Sequence, residues 1–245
     1  MNPPRATLEQ SQNLAGVDER LRAWSRQRGG EERSWPVLME ESTLHRAGYP
    51  DAFPHLLMTA CVAVDPAAKE SPLVSSGWCL SPAVCYHAYA SLEGETLQEG
   101  MRLTARGHCF RNEEPGELKP GRRQIEFLMR ELILIGAADW IEAELDGMQT
   151  EIDRLAANFG LSGEWLAGND PFFLPVAKGK AQMQRLLETK REYCLPDGLA
   201  IASINRHGAF FGERFRISQP GGQAVHSACI AFGLDRWAAH SIKST

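Results

Sequence analysis

The sequence predicts an α+β fold built around a mainly antiparallel sheet, and three observations lead there. MRLTARGHCFRNE (101–113) alternates in polarity. It is followed, across a loop with Pro-Gly turn signals, by RRQIEFLMRELILIGA (122–137), so the two read as antiparallel strands at hairpin separation. Asp139–Phe159 sets Ile141, Leu145, Met148, Ile152, Leu155 and Phe159 on one apolar stripe, the mark of a helix lying on a core. Strand-like segments with short connections outnumber any βαβ pattern, which argues against a doubly wound parallel sheet.

Taken in order, residues 1–13 are polar and expected to be loosely attached. Val17, Leu21 and Trp24 recur at helical spacing over 14–28, before the breaker Gly29-Gly30. A short helix over Glu41–Ala47 should end at Gly48. LLMTACVAV (56–64) reads as a buried strand by composition. SPAVCYHAYASL (81–92) reads as a helix with Ser81 as its N-cap and Pro82 at the first helical position. After the Asp139–Phe159 helix come a loop with NDPFF (169–173) and a helix near 175–189. Strands are expected at 190–195, 199–205 and 209–217. The glycine-led segment 221–242 is expected to continue as a helix.

The chain of 245 residues is long enough for one sizeable core, and its composition, 43% hydrophobic and 23% charged, is that of a globular protein. A net charge of −5 argues against a general nucleic-acid binder. No run approaches the roughly 18 apolar residues of a membrane span, and the polar N-terminus MNPPRATLEQSQ lacks a signal-peptide core. These features predict a cytoplasmic protein that does not enter a membrane. The six cysteines, Cys61, Cys79, Cys85, Cys109, Cys194 and Cys229, are scattered without a CxxC pair, so a disulfide framework is not expected.

Phosphate loops of the GxxxxGK[ST] type, strand-borne GxGxxG, HExxH and GxSxG are all absent from the sequence. The hairpin nonetheless has chemistry to offer. Residues two apart on a strand share a face, so Arg111 and Glu113 point together, as do Arg123, Ile125, Phe127, Met129 and Glu131. Guanidinium forks match phosphate oxygens, and a phenyl ring stacks on a base. The same face also reads as a half-exposed hairpin with cross-strand ion pairs. Arg236, in GLDRW (233–237), adds a third guanidinium inside a helical run.

FRNE, followed by R-x-x-x-F-x-x-x-E, resembles motif 2 of the class II aminoacyl-tRNA synthetases. AFGLDRW resembles their motif 3, and GYPDAFPHLL (48–57), with Pro54, their motif 1. The three occur in the family's order. FPHLL, SPAVCYHAY, FRNE…EFLMRELILIG, NDPFF and HSACIAFGLDRW together resemble the amino acid:[carrier protein] ligases, small homologues of the zinc-dependent archaeal-type seryl-tRNA synthetase core.

The resemblance implies a class II synthetase-like antiparallel sheet flanked by helices. It divides the chain into an N-terminal extension (1–35), partly disordered with one helix, and a catalytic domain (36–245). It implies that Arg111 holds the α-phosphate of ATP, that Glu113 meets the adenine edge, and that Phe127 stacks on the base. Arg123 and Arg236 would bind the outer phosphates, with Arg122 as the alternative to Arg123. Cys85, Glu131 and Cys229 would hold one zinc ion per chain, leaving a position for the amino group of the substrate. Without the resemblance these three have no diagnostic spacing. Cys79 is the rival of Cys85, and Glu126 of Glu131, although Glu126 has the wrong parity to share a face with Phe127.

Asn205 and His207 match the family in kind, Asp170 is a candidate for the substrate amine or for a turn cap, and Asp197 and Glu213 are candidates for Mg²⁺, with solvated turn residues the favoured reading of both. The implied reaction activates a small amino acid, glycine or alanine, with ATP and Mg²⁺, and transfers it to the phosphopantetheine thiol of a carrier protein. The implied assembly is a homodimer through motif 1. A basic patch for an acidic carrier could come from Arg20, Arg22, Arg26, Arg28 and Arg33, or from Arg185, Lys190 and Arg191, and each cluster reads equally well as a solvated helix face. The alternatives are a tRNA-charging enzyme and a catalytically inactive binding module. With about 40 residues before motif 1, tRNA is not the expected partner.

Overall fold

A computed structural model describes residues 8–68, 70–168 and 189–241. Helix α1 (Leu8–Gln27) opens the chain, followed by the short strands β1 (Glu31–Glu32) and β2 (Leu38–Glu40). Helices α2 (Glu41–Arg46) and α3 (Tyr49–Ala52) lead into β3 (Thr59–Ala63), β4 (Leu73–Leu80) and helix α4 (Cys85–Ser91). The hairpin β5 (Met101–Phe110) and β6 (Glu126–Gly136) precedes α5 (Ala138–Leu145), α6 (Met148–Ala157) and β7 (Glu164–Ala167). Strands β8 (Lys190–Cys194) and β9 (Ala200–Gly208), helix α7 (Phe210–Arg214), β10 (His226–Gly233) and α8 (Leu234–His240) complete the order.

Among the described residues, seven strands form one sheet in the order β1-β5-β6-β10-β9-β8-β7, and β2-β4-β3 form another. Only the β1–β5 pair in these sheets is parallel. The expected α+β class and the β5–β6 hairpin are therefore present.

The large sheet is covered on both faces, and side chains of β6 alternate between two cores, as the period of a strand dictates. Leu132 and Leu134 pack with Val17 and Leu21 of α1, Ile141, Ile152 and Trp237. Ile133 and Ile135 pack with Leu103, Tyr86, Tyr89 and Phe211. On the α1 side of the same strand, Arg130 is 2% exposed. Its Nε donates to Asp18 Oδ1 at 2.6 Å, and its Nη1 lies 3.1 Å from both Glu32 carboxylate oxygens and 3.3 Å from Thr104 Oγ1. A buried guanidinium needs such partners, so this network fastens α1 and β1 to the sheet.

Several elements differ from expectation. Helix α1 begins at Leu8, so residues 8–13 are part of it rather than loosely attached. The strand within 56–64 is half-exposed, with Val62 52% and Val64 60% accessible, because it pairs only with β4 at the end of the small sheet. Ser81 does not cap α4. That helix begins at Cys85, and the Ser81 hydroxyl donates to the Ala83 carbonyl at 2.8 Å. The apolar stripe of 139–159 is buried as read, but Gly147 at φ 70° divides it into two helices. Residues 210–214 are helix, not strand, and 226–233 are strand before the last helix starts. Both segments are too short, at five and eight residues, for periodicity alone to separate strand from helix. The NDPFF loop with Asp170, the 175–188 part of the expected helix and Arg185 lie outside the described residues.

Removing Asp18 leaves a buried guanidinium with Glu32, the more exposed of its two carboxylate partners. Asp18→Ala should lower stability by about 3 kcal/mol, and more than Glu32→Ala does, in urea unfolding monitored by tryptophan fluorescence. On α4, His87 stacks on Trp35 with ring centroids 6.1 Å apart, and its buried Nε2 has no hydrogen-bond partner. Burial brings its pKa down from 6.5 to about 4. Between those values the unfolded chain binds the extra proton and the folded one does not, so this contribution is full above pH 6.5 and is lost as pH falls to 4. His87→Phe should flatten the pH dependence of stability in that window, a change of up to about 3 kcal/mol.

Candidate active site

The register of the large sheet lines up rows of side chains across its strands. Glu192 of β8 pairs with Ser203 of β9, Ser203 with Ala231 of β10, and Ala231 with Glu131 of β6. One step along, Lys190, Asn205, Cys229 and Ile133 form the neighbouring row. Paired residues project to the same side of a sheet. Those rows floor a cleft of about 980 Å³, its open mouth included, whose walls carry Arg111, Glu113, Arg122, Arg123, Phe127 and Arg236. Every nucleotide-site and zinc-site residue expected from the sequence, Cys85, Arg111, Glu113, Arg123, Phe127, Glu131, Cys229 and Arg236, lines this one cleft.

At its inner end, one ligand-type atom each from Cys85, Glu131 and Cys229 lie within 4.8 Å of one another, and all three residues are buried. Cys85 is the first residue of α4, and Glu131 and Cys229 come from adjacent strands. The Val84 backbone N–H donates to Glu131 Oε1 at 3.1 Å, so this carboxylate stands at the start of α4 where Ser81 was expected, while Oε2 is buried without a partner. Burial pushes the Glu131 carboxyl up to about 7. The Cys85 thiol is pushed well up, first by its hydrogen bond with Cys229, then by burial and by Glu131. Cys229 is pulled down by the hydrogen bond with Cys85 but lifted further by burial and Glu131.

Three anionic-capable donors in a buried site, one with an orphaned oxygen, form a cluster that is unfavourable as free anions and favourable around a dication. Two sulfurs and a carboxylate suit zinc and leave a fourth tetrahedral position. The rivals sit elsewhere. Cys79 is packed in the core, and a Glu126 carboxylate oxygen lies 2.9 Å from His108 Nδ1.

Around the cluster, Asn205 Nδ2 donates to Cys229 Sγ at 3.4 Å and to Ser203 Oγ at 3.1 Å. The His207 ring is buried, with Nε2 3.7 Å from Cys229 Sγ and Nδ1 3.1 Å from both Tyr89 Oη and Ser227 Oγ. Burial depresses the His207 pKa to about 3.

At the open end, the Arg111 Nε and Nη2 donate to the Pro82 carbonyl at 3.4 and 3.3 Å, and the guanidinium carbon lies 5.1 Å from the Phe127 ring centroid. Arg236 donates to the carbonyls of Arg122 and Ala200, each at 2.7 Å. Burial, then Arg111, lowers the Arg236 pKa. Arg123 pairs with Glu113 at 2.7 Å and Glu117 at 3.0 Å, while Arg122 pairs with Asp197. Asp235 Oδ2 accepts from the Leu128 N–H at 2.5 Å, tying the start of α8 to β6.

Asp197 and Glu213, the candidates for Mg²⁺, do not line the cleft, whereas Glu192 does, ion-paired to Lys190 at 2.7 Å. Glu192 and Ser203 were missed. Their signal was the alternation of KREYC and ASINRHG, which becomes informative only once the register to Glu131 is known. Most of the first basic cluster is occupied internally. Arg22, Arg28 and Arg33 have carboxylate partners, and Arg20 stacks on Phe159 at 3.6 Å.

No family model matches the chain. The chain is 32% identical over 225 residues to Amino acid--[acyl-carrier-protein] ligase 2 of Bradyrhizobium diazoefficiens, covering 83% of this chain and 66% of that protein. It is 30% identical over 234 residues to ligase 1 of the same organism, covering 87% and 71%. The Type-2 serine--tRNA ligase of Methanocaldococcus jannaschii is 30% identical over 176 residues, 66% of this chain and 33% of that protein.

Among solved structures, the M. kandleri SerRS in complex with A. aeolicus tRNASec superposes with a TM-score of 0.76 at 21% identity, over 92% of this chain and 51% of that one. Giardia lamblia prolyl-tRNA synthetase in complex with prolyl-adenylate gives 0.69 at 17%, over 94% and 44%. The fold is that of the class II synthetases. The chain spans about two thirds of the length of the two carrier-protein ligases, and with that coverage and identity it belongs to the amino acid--[acyl-carrier-protein] ligase family.

Proposed function

We propose that the chain activates a small amino acid with ATP and transfers it to the phosphopantetheine thiol of a carrier protein. The observation that carries this reading is the single cleft that joins a cluster of guanidiniums and an aromatic ring at its mouth to the Cys85–Glu131–Cys229 group at its floor.

In the first step the amino acid carboxylate attacks the α-phosphorus of ATP, and pyrophosphate leaves. Arg111 stabilises charge on the α-phosphate, where it is greatest as the bond breaks. Arg236 and Arg123 take the outer phosphates, and for this Arg123 exchanges Glu113 and Glu117 for the nucleotide. Glu113, once released, meets the adenine edge, and Phe127 stacks on the ring. Cys85, Glu131 and Cys229 would hold a zinc ion, which when bound supplies a Lewis-acid position selective for a neutral amine. Phe211 and His207, which also line the cleft, limit the room beside that group and favour glycine or alanine. In the second step the carrier thiol attacks the acyl carbonyl of the adenylate, forming the thioester and releasing AMP. Mg²⁺ accompanies ATP. The free state of all six cysteines supports a reducing cytoplasmic location, and among the described residues no helix is long and apolar enough to cross a membrane.

The assembly is a homodimer through the small sheet. Segment 56–64 has the composition of a buried strand, yet Val62, Val64, Leu73, Val74 and Trp78 are 52%, 60%, 69%, 47% and 43% exposed. Val62 and Val74 are paired across β3 and β4, and exposed apolar side chains set side by side call for a cover, which a second copy supplies. Residues 48–57 run directly into this sheet.

ATP–pyrophosphate exchange across an amino-acid panel tests the activity. Exchange with glycine or alanine is expected, and Arg111→Ala should reduce it by about 10²- to 10³-fold. Cys229→Ala should lose metal and exchange together, and zinc retained at one per chain in that variant would refute the ligand assignment. Charging of bulk tRNA would favour the tRNA-ligase reading, and absence of exchange from folded, zinc-loaded protein would refute the enzyme. For the assembly, light scattering at micromolar concentration should give a dimer mass that falls to the monomer in Trp78→Glu.

A further inference from the structure

Cys229 and Cys85 are not equivalent, although both belong to the buried cluster. Cys229 Sγ faces two side-chain nitrogens, Asn205 Nδ2 at 3.4 Å and His207 Nε2 at 3.7 Å. The direction of the second contact follows from chemistry. A metal-bound cysteine sulfur is a thiolate with no proton to give, so it only accepts. A neutral imidazole carries one proton, on one nitrogen. His207 Nδ1 lies 3.1 Å from Tyr89 Oη and 3.1 Å from Ser227 Oγ, both hydroxyls able to donate to it. Those hydroxyls accept as readily as they donate, so it is the thiolate, able only to accept, that calls for the ring proton on Nε2, and Nδ1 then accepts from one of them.

We propose that His207 is a positioning residue for Cys229. Its Nε2–H donates to the Cys229 thiolate, fixing the sulfur in place and drawing electron density from it, while the Tyr89 and Ser227 hydroxyls supply the donor for Nδ1 and hold the ring in position. This rests on the metal reading given above. The relay is built from separate elements, with Tyr89 on α4, His207 on β9 and Ser227 on β10. It therefore couples the helix that carries Cys85 to the strand that carries Cys229. A ligand that gives up density to a hydrogen-bond donor leaves the metal a stronger Lewis acid, and partners of this kind also orient the ligand.

The test uses the full chain, zinc affinity by chelator competition and the absorption spectrum of the cobalt(II)-loaded protein. His207→Leu should weaken zinc binding about 10- to 100-fold and move the thiolate-to-cobalt charge-transfer band to longer wavelength. His207→Gln, whose amide N–H reaches the Nε2 position, should restore affinity to within roughly threefold and return the band. The double variant Tyr89→Phe/Ser227→Ala keeps the ring but removes the lock, and should move the band the same way by a smaller amount. It serves as the measurement if His207→Leu does not fold. Unchanged affinity and spectrum in folded His207→Leu, or in the double variant where His207→Leu does not fold, would overturn this inference alone, as would failure of His207→Gln to restore them. Wild-type protein that takes up neither zinc nor cobalt would overturn the metal reading, and this inference with it.

Discussion

From Arg130 to Gly136, strand β6 has no solvent face, and it begins that buried run with two adjacent ionisable residues, Arg130 and Glu131. Strand geometry sends them to opposite sides of the sheet. Each must find compensation there, because a buried charge without partners is among the costliest features a fold can hold. On one side Arg130 finds Asp18, Glu32 and Thr104. The cation is fully served, and the helix and strand that serve it become part of the scaffold. On the other side Glu131 finds one backbone N–H, two thiols that also resist ionising, and an oxygen with no partner. The second site is short of positive charge by construction. One strand thus separates a structural ion cluster from a chemical one, and the difference between them is the supply of compensating charge.

The sheet register then decides what surrounds the under-compensated site. Cys229 lies opposite Asn205, and Ala231 opposite both Ser203 and Glu131. Polar groups able to touch a substrate are therefore placed in rows across β8, β9 and β10, with small residues between them on β10. Ala231 and Gly233 keep the strand next to Glu131 low, which leaves the cleft open above it. A one-residue slip of β10 would send Cys229 into the opposite core and bring Ala228 or Ile230 to the site. The apolar residues on the other side, Ala228, Ile230 and Phe232, fix that register, so the hydrophobic pattern of the strand indirectly places the sulfur.

Much of this was legible before any coordinates, but unevenly. The β5–β6 hairpin and the stripe from Ile141 to Phe159 were readable because long periodic segments leave little ambiguity. The break at Gly147 was not, since a glycine is tolerated within a helical pattern and only its φ of 70° shows that the helix stops. Segment 226–233 was misread as helix because HSACIAFG, from Ala228 on, has no polar residue to mark an alternation. A strand buried on both faces loses its alternation, and the lost alternation is the signal that distinguishes strand from helix. The site residues Arg111, Phe127, Glu131 and Cys229 were reached through resemblance to a family, not through spacing. The distances that join Cys85 to Cys229 span 144 positions (229 − 85), and no local pattern carries information over that range. Glu192 and Ser203 show the same limit, because their place in the site depends on strand pairing across the sheet.

The guanidiniums at the mouth differ in how their charge is held, and that difference orders their roles. Arg123 is ion-paired with Glu113 and Glu117, so its charge is already largely balanced. Arg111 and Arg236 instead hydrogen-bond to backbone carbonyls of Pro82, Arg122 and Ala200. Among the described residues neither makes an ion pair. A carbonyl dipole orients a guanidinium without neutralising it. Both therefore stand in fixed positions with their charge available, and Arg236 is destabilised by burial and by Arg111 in the absence of an anion. Two preorganised cations that repel one another bind a phosphate group more strongly than the same two in water, because the anion relieves a strain already built in. Arg123 joins only when its carboxylates release it. On the proposed reading a triphosphate matches this gradation, meeting Arg111 and Arg236 first and recruiting Arg123.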